Sequence, residues 1–131
     1  MFVDASALVA IIAGEPDAAA LERKLTVAEQ RFTSPVATYE ATLALARLGN
    51  TRVAAAQNSL QRLLDHADIR LMSITPEIGR IAIDAFARFG RGRHPARLNM
   101  GDCFAYACAR SLGVPLLAKG EDFPLTDVEL A

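Results

Sequence analysis

A chain of 131 residues, 52% of them apolar, fits one compact domain with a real core and excludes wholesale disorder. Its 14 Lys plus Arg nearly offset 15 Asp plus Glu, for a formal charge of −1, which disfavours a nucleic-acid binder working by bulk positive charge. The longest uncharged stretch near the start, Ala5 to Gly14, is too short to span a bilayer, and Asp4 stands where a leader would carry Lys or Arg, so the chain reads as cytoplasmic.

From the N-terminus, Met1 to Val3 is a short apolar strand ending at Asp4. Ser6 to Ala13 has a helical pattern, broken by Gly14 and Pro16. Pro16 opens a second helix to about Leu25, and Arg31 to Thr33 is a short strand. Ser34 and Pro35 start a helix as N-cap and first helical residue. Val36, Leu43, Leu45 and Leu48 carry its apolar pattern to a stop at Gly49. Thr51 to His66 is another helix, with Val53, Leu60, Leu63 and Leu64 on or near one face. Ile69 to Ser73 alternates as a strand. Pro76 opens a helix to about Phe89 that turns Ile78, Ile81, Ala82, Ala85 and Phe86 inward. Gly90 to Leu98 is a loop of Arg, Gly and Pro. Asn99 caps a helix reaching Leu112, stopped by Gly113. Val114 to Leu117 is a buried-type strand and Val128 to Leu130 a last one. Strands alternating with helices, with no linker, predict a single α/β domain over residues 1–131 with a mainly parallel sheet.

Sites in such folds lie beyond the carboxyl ends of the strands. That rule selects Asp4 after the first strand and Asp122 after the late one. It also selects Asp102, in the first turn of the helix opened by Asn99, and Glu40, near the start of the helix opened by Pro35. Each has a plain structural role open to it: Asp4 as a helix cap, Asp102 in a capping box with Asn99, Asp122 in a turn, Glu40 on a solvated face. Ser6 can equally be a first-turn helix residue. Four carboxylates in one cleft would repel and raise each other's pKa, a conflict that a divalent cation resolves. Hard oxygen donors suit Mg²⁺ or Mn²⁺ rather than Zn²⁺. His66 and His94 are isolated, and Cys103 and Cys108 point apart on their predicted helix, so no zinc spacing competes. There is no Gly-x-Ser-x-Gly elbow and no Gly-x-Gly-x-x-Gly. A phosphoacceptor domain would also use strand-end acids with a Lys such as Lys119, but it prefers paired acids at the first strand, which are absent.

Four segments bind these residues into a pattern: Phe2-Val3-Asp4-Ala5-Ser6-Ala7, Thr38-Tyr39-Glu40 after Ser34-Pro35, His94 to Ala107 around Asn99-Met100-Gly101-Asp102, and Pro115-Leu116-Leu117 with Lys119-Gly120-Glu121-Asp122-Phe123 and Thr126-Asp127. In this order and spacing, over essentially the whole chain, they resemble the PIN domain, specifically the VapC-type toxins of bacterial toxin–antitoxin pairs. The resemblance implies a PIN-like three-layer α/β fold and an endoribonuclease dependent on Mg²⁺ or Mn²⁺. It makes Asp4, Glu40, Asp102 and Asp122 the acidic quartet. Asp4, Asp102 and Asp122 are then the expected metal ligands, and Glu40 orients a water or completes a second site. Ser6 is the small polar residue beside the first acid, with Asn99 and Asp127 as supporting groups. The family also implies an RNA substrate, a small antitoxin partner and a homodimer. The alanine-rich helices from Val36 to Leu64 suit that dimer or an ordinary core. Twelve of the basic residues are Arg, and Arg88, Arg91, Arg93 and Arg97 crowd one segment with His94. That segment is a solvated loop or a contact surface for RNA or antitoxin. The competing class of function is a non-catalytic PIN-like interaction module, with the acids as caps and docking contacts.

Overall fold

The computed structural model describes residues 1–131. Strands β1 (Phe2–Val3), β2 (Arg31–Thr33), β3 (Ile69–Leu71) and β4 (Leu116–Leu117) form one parallel sheet in the order β3-β2-β1-β4. The helices are α1 (Ala5–Ala13), α2 (Ala18–Val27), α3 (Pro35–Leu48), α4 (Val53–His66), α5 (Pro76–Phe89) and α6 (Met100–Leu112). Phe2 and Val3 have no exposed surface, and Leu116 and Leu117 have almost none. Strands this short can be apolar throughout because helices cover both faces of a parallel sheet. Around them Leu8, Ile78, Leu98 and Tyr106 complete the innermost core.

Local chemistry sets several boundaries. Ser34 Oγ accepts the Ala37 N–H at 3.2 Å, and Pro35 takes the first helical position of α3. Helix α1 ends on Gly14 at φ 66°, a left-handed residue whose N–H returns to the last turn. Pro16 does not open α2: that helix starts at Ala18 behind Asp17, and Pro16 lies in the preceding turn. The third strand stops at Leu71 rather than Ser73, and the fourth is confined to Leu116–Leu117. The expected strand at Val128 to Leu130 shrinks to a single parallel bridge from Leu130 to Leu116.

One helix face also differs from the expectation. Phe86 is 41% exposed, while Phe89 is buried with Ile78, Ala82 and Ala85. Those four share one stripe at helical spacing, and Phe86 falls beside it. Leu43, Leu48 and Val53 likewise remain exposed, because Ala37, Ala41 and Leu45 of α3 and Ala56, Leu60 and Leu64 of α4 make the inward contacts.

The topology positions the site. β1 is flanked by β2 on one side and β4 on the other, so the chain leaves it in both directions across the sheet. Such a switch point opens a crevice at the carboxyl edge. Asp4 follows β1 there, α3 starts from the end of β2, and the segment from Ala118 to Asp122 follows β4.

Candidate active site

Asp4 occupies the switch point and is 4% exposed. Its backbone stays in register through the Asp4 N–H to Leu117 C=O bond at 2.9 Å. Its Oδ2 accepts both the Ser6 N–H at 3.0 Å and the Ser6 hydroxyl at 2.6 Å, so it caps α1. Ser6 Oγ in turn accepts the Lys119 N–H at 3.0 Å, tying the cap to the segment after β4. Burial raises the Asp4 pKa above the ordinary carboxylate value, against the opposing pull of the bonds from Ser6.

Asp102 caps α6 while lying within electrostatic range of the other acids. The Asp102 N–H donates to Asn99 Oδ1 at 2.9 Å, and the Asn99 N–H donates to Asp102 Oδ2 at 3.0 Å, a complete capping box. That geometry holds the carboxylate in one rotamer and commits one oxygen, leaving Oδ1 for solvent or an ion. Burial pushes the Asp102 pKa up to about 6; its Asn99 bond and the charge of Arg91 lower it, while those of Asp4 and Asp122 raise it further.

Glu40 is half-buried on the second turn of α3. Its pKa rises to about 7 through burial first, then through repulsion from Asp4 and Asp102. Its carboxylate lies directly over Gly101 of α6, in space that any Cβ at that position would fill. Gly101 thus belongs to the site, although its sequence signal is faint: a glycine where helix propensity favours almost any other residue. Asp122 is exposed beyond β4, within electrostatic range of Asp102. Asp4, Glu40 and Asp102 thus lie within electrostatic range of one another at the carboxyl edge of the sheet, with Asp122 in range of Asp102.

Other selected residues lie elsewhere in the interaction network. Asp127 accepts the Tyr106 hydroxyl at 2.7 Å and pairs with Arg88 at 2.9 Å. These contacts lower the Asp127 pKa, with the Tyr106 bond the larger cause. Asp127 therefore braces α6 one turn beyond Asp102 and does not touch the quartet. Arg88 is committed to the same network, apart from Arg91, Arg93 and Arg97. The Lys119 ammonium pairs with Glu15 and with Asp17, the latter at 3.4 Å.

The donor set suits a hard cation: carboxylates, no thiolate or imidazole, and three acids with raised pKa values. No group of three or more His, Cys, Asp or Glu side chains is placed to hold a metal ion together.

A pH dependence follows. Glu40 and Asp102 hold protons in the folded chain, up to about pH 7 and about pH 6, that the unfolded chain has already released from its ordinary carboxylates. The stability they contribute is complete at low pH and lost as pH rises through those values. The metal-free protein is expected to lose thermal midpoint, on the order of a few degrees, between about pH 4 and pH 7. The fall should be smaller in Glu40→Gln; calorimetric scans showing the same fall in both proteins would refute this origin.

The sequence matches the family model described as the PIN domain over residues 1–129. It is 40% identical over 129 residues to a Ribonuclease VapC of Mycolicibacterium smegmatis, spanning 98% of this chain and 97% of that protein. It is 37% identical over 139 residues to a VapC ribonuclease of Rhizobium meliloti, spanning 97% and 98%. Among solved structures it resembles VapC20 of Mycobacterium tuberculosis, described as a sarcin–ricin loop cleaving toxin, with TM-score 0.76 at 22% identity over 99% and 97% of the two chains. A chain in a toxin–antitoxin complex from Klebsiella pneumoniae gives TM-score 0.69 at 14% identity over 99% and 95%. At these identities the structural likeness speaks for the fold. No helix is long and apolar enough to cross a membrane.

Proposed function

The chain belongs to the PIN-domain family, and from that premise we propose that it is a VapC-type endoribonuclease, the toxin of a toxin–antitoxin pair, hydrolysing RNA with Mg²⁺ or Mn²⁺. The observation that carries the reading is the mutual electrostatic influence of Asp4, Glu40 and Asp102 at the carboxyl edge of the sheet, with Asp122 in range of Asp102. The ribonuclease names of the curated relatives favour it over a non-catalytic interaction module.

Asp4, Asp102 and Asp122 would hold the cation, directly or through water, with Ser6 and Asn99 fixing the first two carboxylates. When bound, the cation supplies an acidified water and offsets charge on the phosphoryl oxygens. Glu40, its carboxylate lying over Gly101 beside Asp4 and Asp102, would orient the attacking water. Asp127 supports α6 through Tyr106 rather than touching the ligands. Arg91, Arg93 and Arg97 face the RNA, and the enzyme acts in the cytoplasm.

A cognate antitoxin and a second copy of the chain complete the assembly. The apolar groove of about 420 Å³ between α3 and α4, lined by exposed Tyr39, Leu43, Val53 and Leu71, supports a protein partner.

The test is incubation with a panel of structured RNAs, with Mn²⁺ or with chelator, followed by end mapping. Cleavage that requires the metal and leaves 5′-phosphate and 3′-hydroxyl ends is expected. Cleavage unaffected by chelation, or none of any RNA with Mn²⁺ present, would overturn the proposal.

A further inference from the structure

We propose that the loop between α5 and α6 is a preformed cradle for a backbone phosphate of the RNA strand, one flanking the scissile bond, formed by Arg91, Arg93 and Arg97 with His94. The inference deepens the RNA-cleaving reading and rests on it.

The loop surrounds an open depression of about 550 Å³ lined by Arg91, Gly92, Arg93, His94, Pro95 and Arg97, with no carboxylate among them. The ion pairs of the protein engage Arg70, Arg88 and Lys119, and none of the three loop arginines. Three unpaired guanidinium groups around one depression repel one another until an anion arrives. Their planar forks match phosphate oxygens.

The depression is also held in shape. The Arg91 N–H donates to the Leu98 C=O and the Leu98 N–H to the Phe89 C=O, each at 3.0 Å, closing the loop at its base. The Arg93 and His94 N–H groups both donate to the Gly90 C=O. Ala96 and Leu98 anchor it with no exposed surface, and the His94 ring meets Phe89 edge-on at 5.2 Å between centroids. The Arg93 guanidinium rests over the Phe86 ring at 5.5 Å, which gives that exposed phenyl group a role. A loop already ordered loses little entropy on binding.

Two details favour an anion. Arg97 adopts φ 51°, a left-handed conformation that costs an L residue and that Gly would take freely. From that turn its side chain lines the depression. The His94 Nδ1 accepts the Ala96 N–H at 3.1 Å, so the neutral ring carries its proton on Nε2 and is a donor at that atom. The loop runs directly into the start of α6, and the charge of Arg91 reaches Asp102 there, so the cradle stands on the Asp102 side of the acids. A strand threading the site would place its scissile phosphate at the acids and a neighbouring phosphate here.

The experiment measures binding in the Asp4→Asn background, where cleavage is silenced, using a fluorescent mixed-sequence single-stranded RNA across a KCl series. Arg93→Ala and Arg97→Gly, the second keeping the backbone unstrained, should each weaken binding several-fold at low salt. Each should also flatten the slope of log affinity against log salt by about 0.7 for every phosphate that is no longer neutralised. Arg62→Ala on α4, equal in charge change, should leave the slope unchanged. Parental slopes in both loop variants, or the same flattening in Arg62→Ala, would overturn the cradle. Binding with a cradle-dependent slope by a parent that cleaves no RNA would instead overturn the nuclease reading alone.

Discussion

Asp4→Asn and Asp102→Asn should each lower metal-dependent RNA cleavage by about 10²–10⁴-fold while leaving the chain folded. Asn keeps the size of Asp and an oxygen acceptor, so Ser6 can still donate to position 4 and the α1 cap survives. Asn at position 102 can likewise accept the Asn99 N–H. Only the negative charge is lost. At Asp4 that charge is 4% exposed and has no cation paired with it in the metal-free protein, so its burial is unfavourable. Metal-free Asp4→Asn should therefore be at least as stable as the parent at neutral pH. Mn²⁺ should separate them: a ligand bound only by the native state adds about 2.7 kcal/mol at 100 times its Kd, a shift of several degrees. The parent should show this shift and the variant should lose it. Parental cleavage rates in both variants, or equal stabilisation of parent and variant by Mn²⁺, would remove these acids from the metal site.

The second large effect is expected at a residue that carries no charge. Gly101→Ala should reduce cleavage by about 10²-fold with no loss of stability, since a displacement near 1 Å of a catalytic group is enough. The added Cβ would fall on the Glu40 carboxylate. The backbone of α6 is pinned at this turn by the capping box between Asn99 and Asp102, whereas Glu40 is the flexible end of a long side chain. Glu40 must give way, and the carboxylate that would orient the attacking water moves. Helix propensity runs the opposite way, with Ala favoured over Gly by up to ~1 kcal/mol. Gly79→Ala on α5, where an added Cβ meets nothing within 4 Å, is the control for that gain. Because Gly101→Ala acts through Glu40, combining it with Glu40→Gln should cost no more than Glu40→Gln alone. Additive losses in that cycle would mean that Gly101 acts on some other part of the site.

The formal charge of −1 pointed away from nucleic acid, yet that sum merges two opposed regions. A partly buried acidic edge around Asp4, Glu40 and Asp102 lies near a loop with three unpaired arginines. Net charge describes the field far from the molecule, whereas recognition at a site depends on local charge within about a Debye length.

What the sequence by itself determined was local or periodic: the alternation of strand and helix, the Ser34-Pro35 start, the Asn99–Asp102 spacing and the acids at strand ends. Each follows from interactions within a turn or two of chain, and those are written in neighbouring residues. Only the tertiary structure decided that Asp102 caps α6 and lies within electrostatic range of Asp4 and Asp122 together. It alone joined Asp127 to Arg88 and Tyr106, left Phe86 outside the core, and laid Glu40 over Gly101. Those outcomes depend on the packing of α3 and α5 against α6, which joins residues distant in sequence. Burial and repulsion then act through space, so the raised pKa of Glu40 has no counterpart in its own stretch of chain.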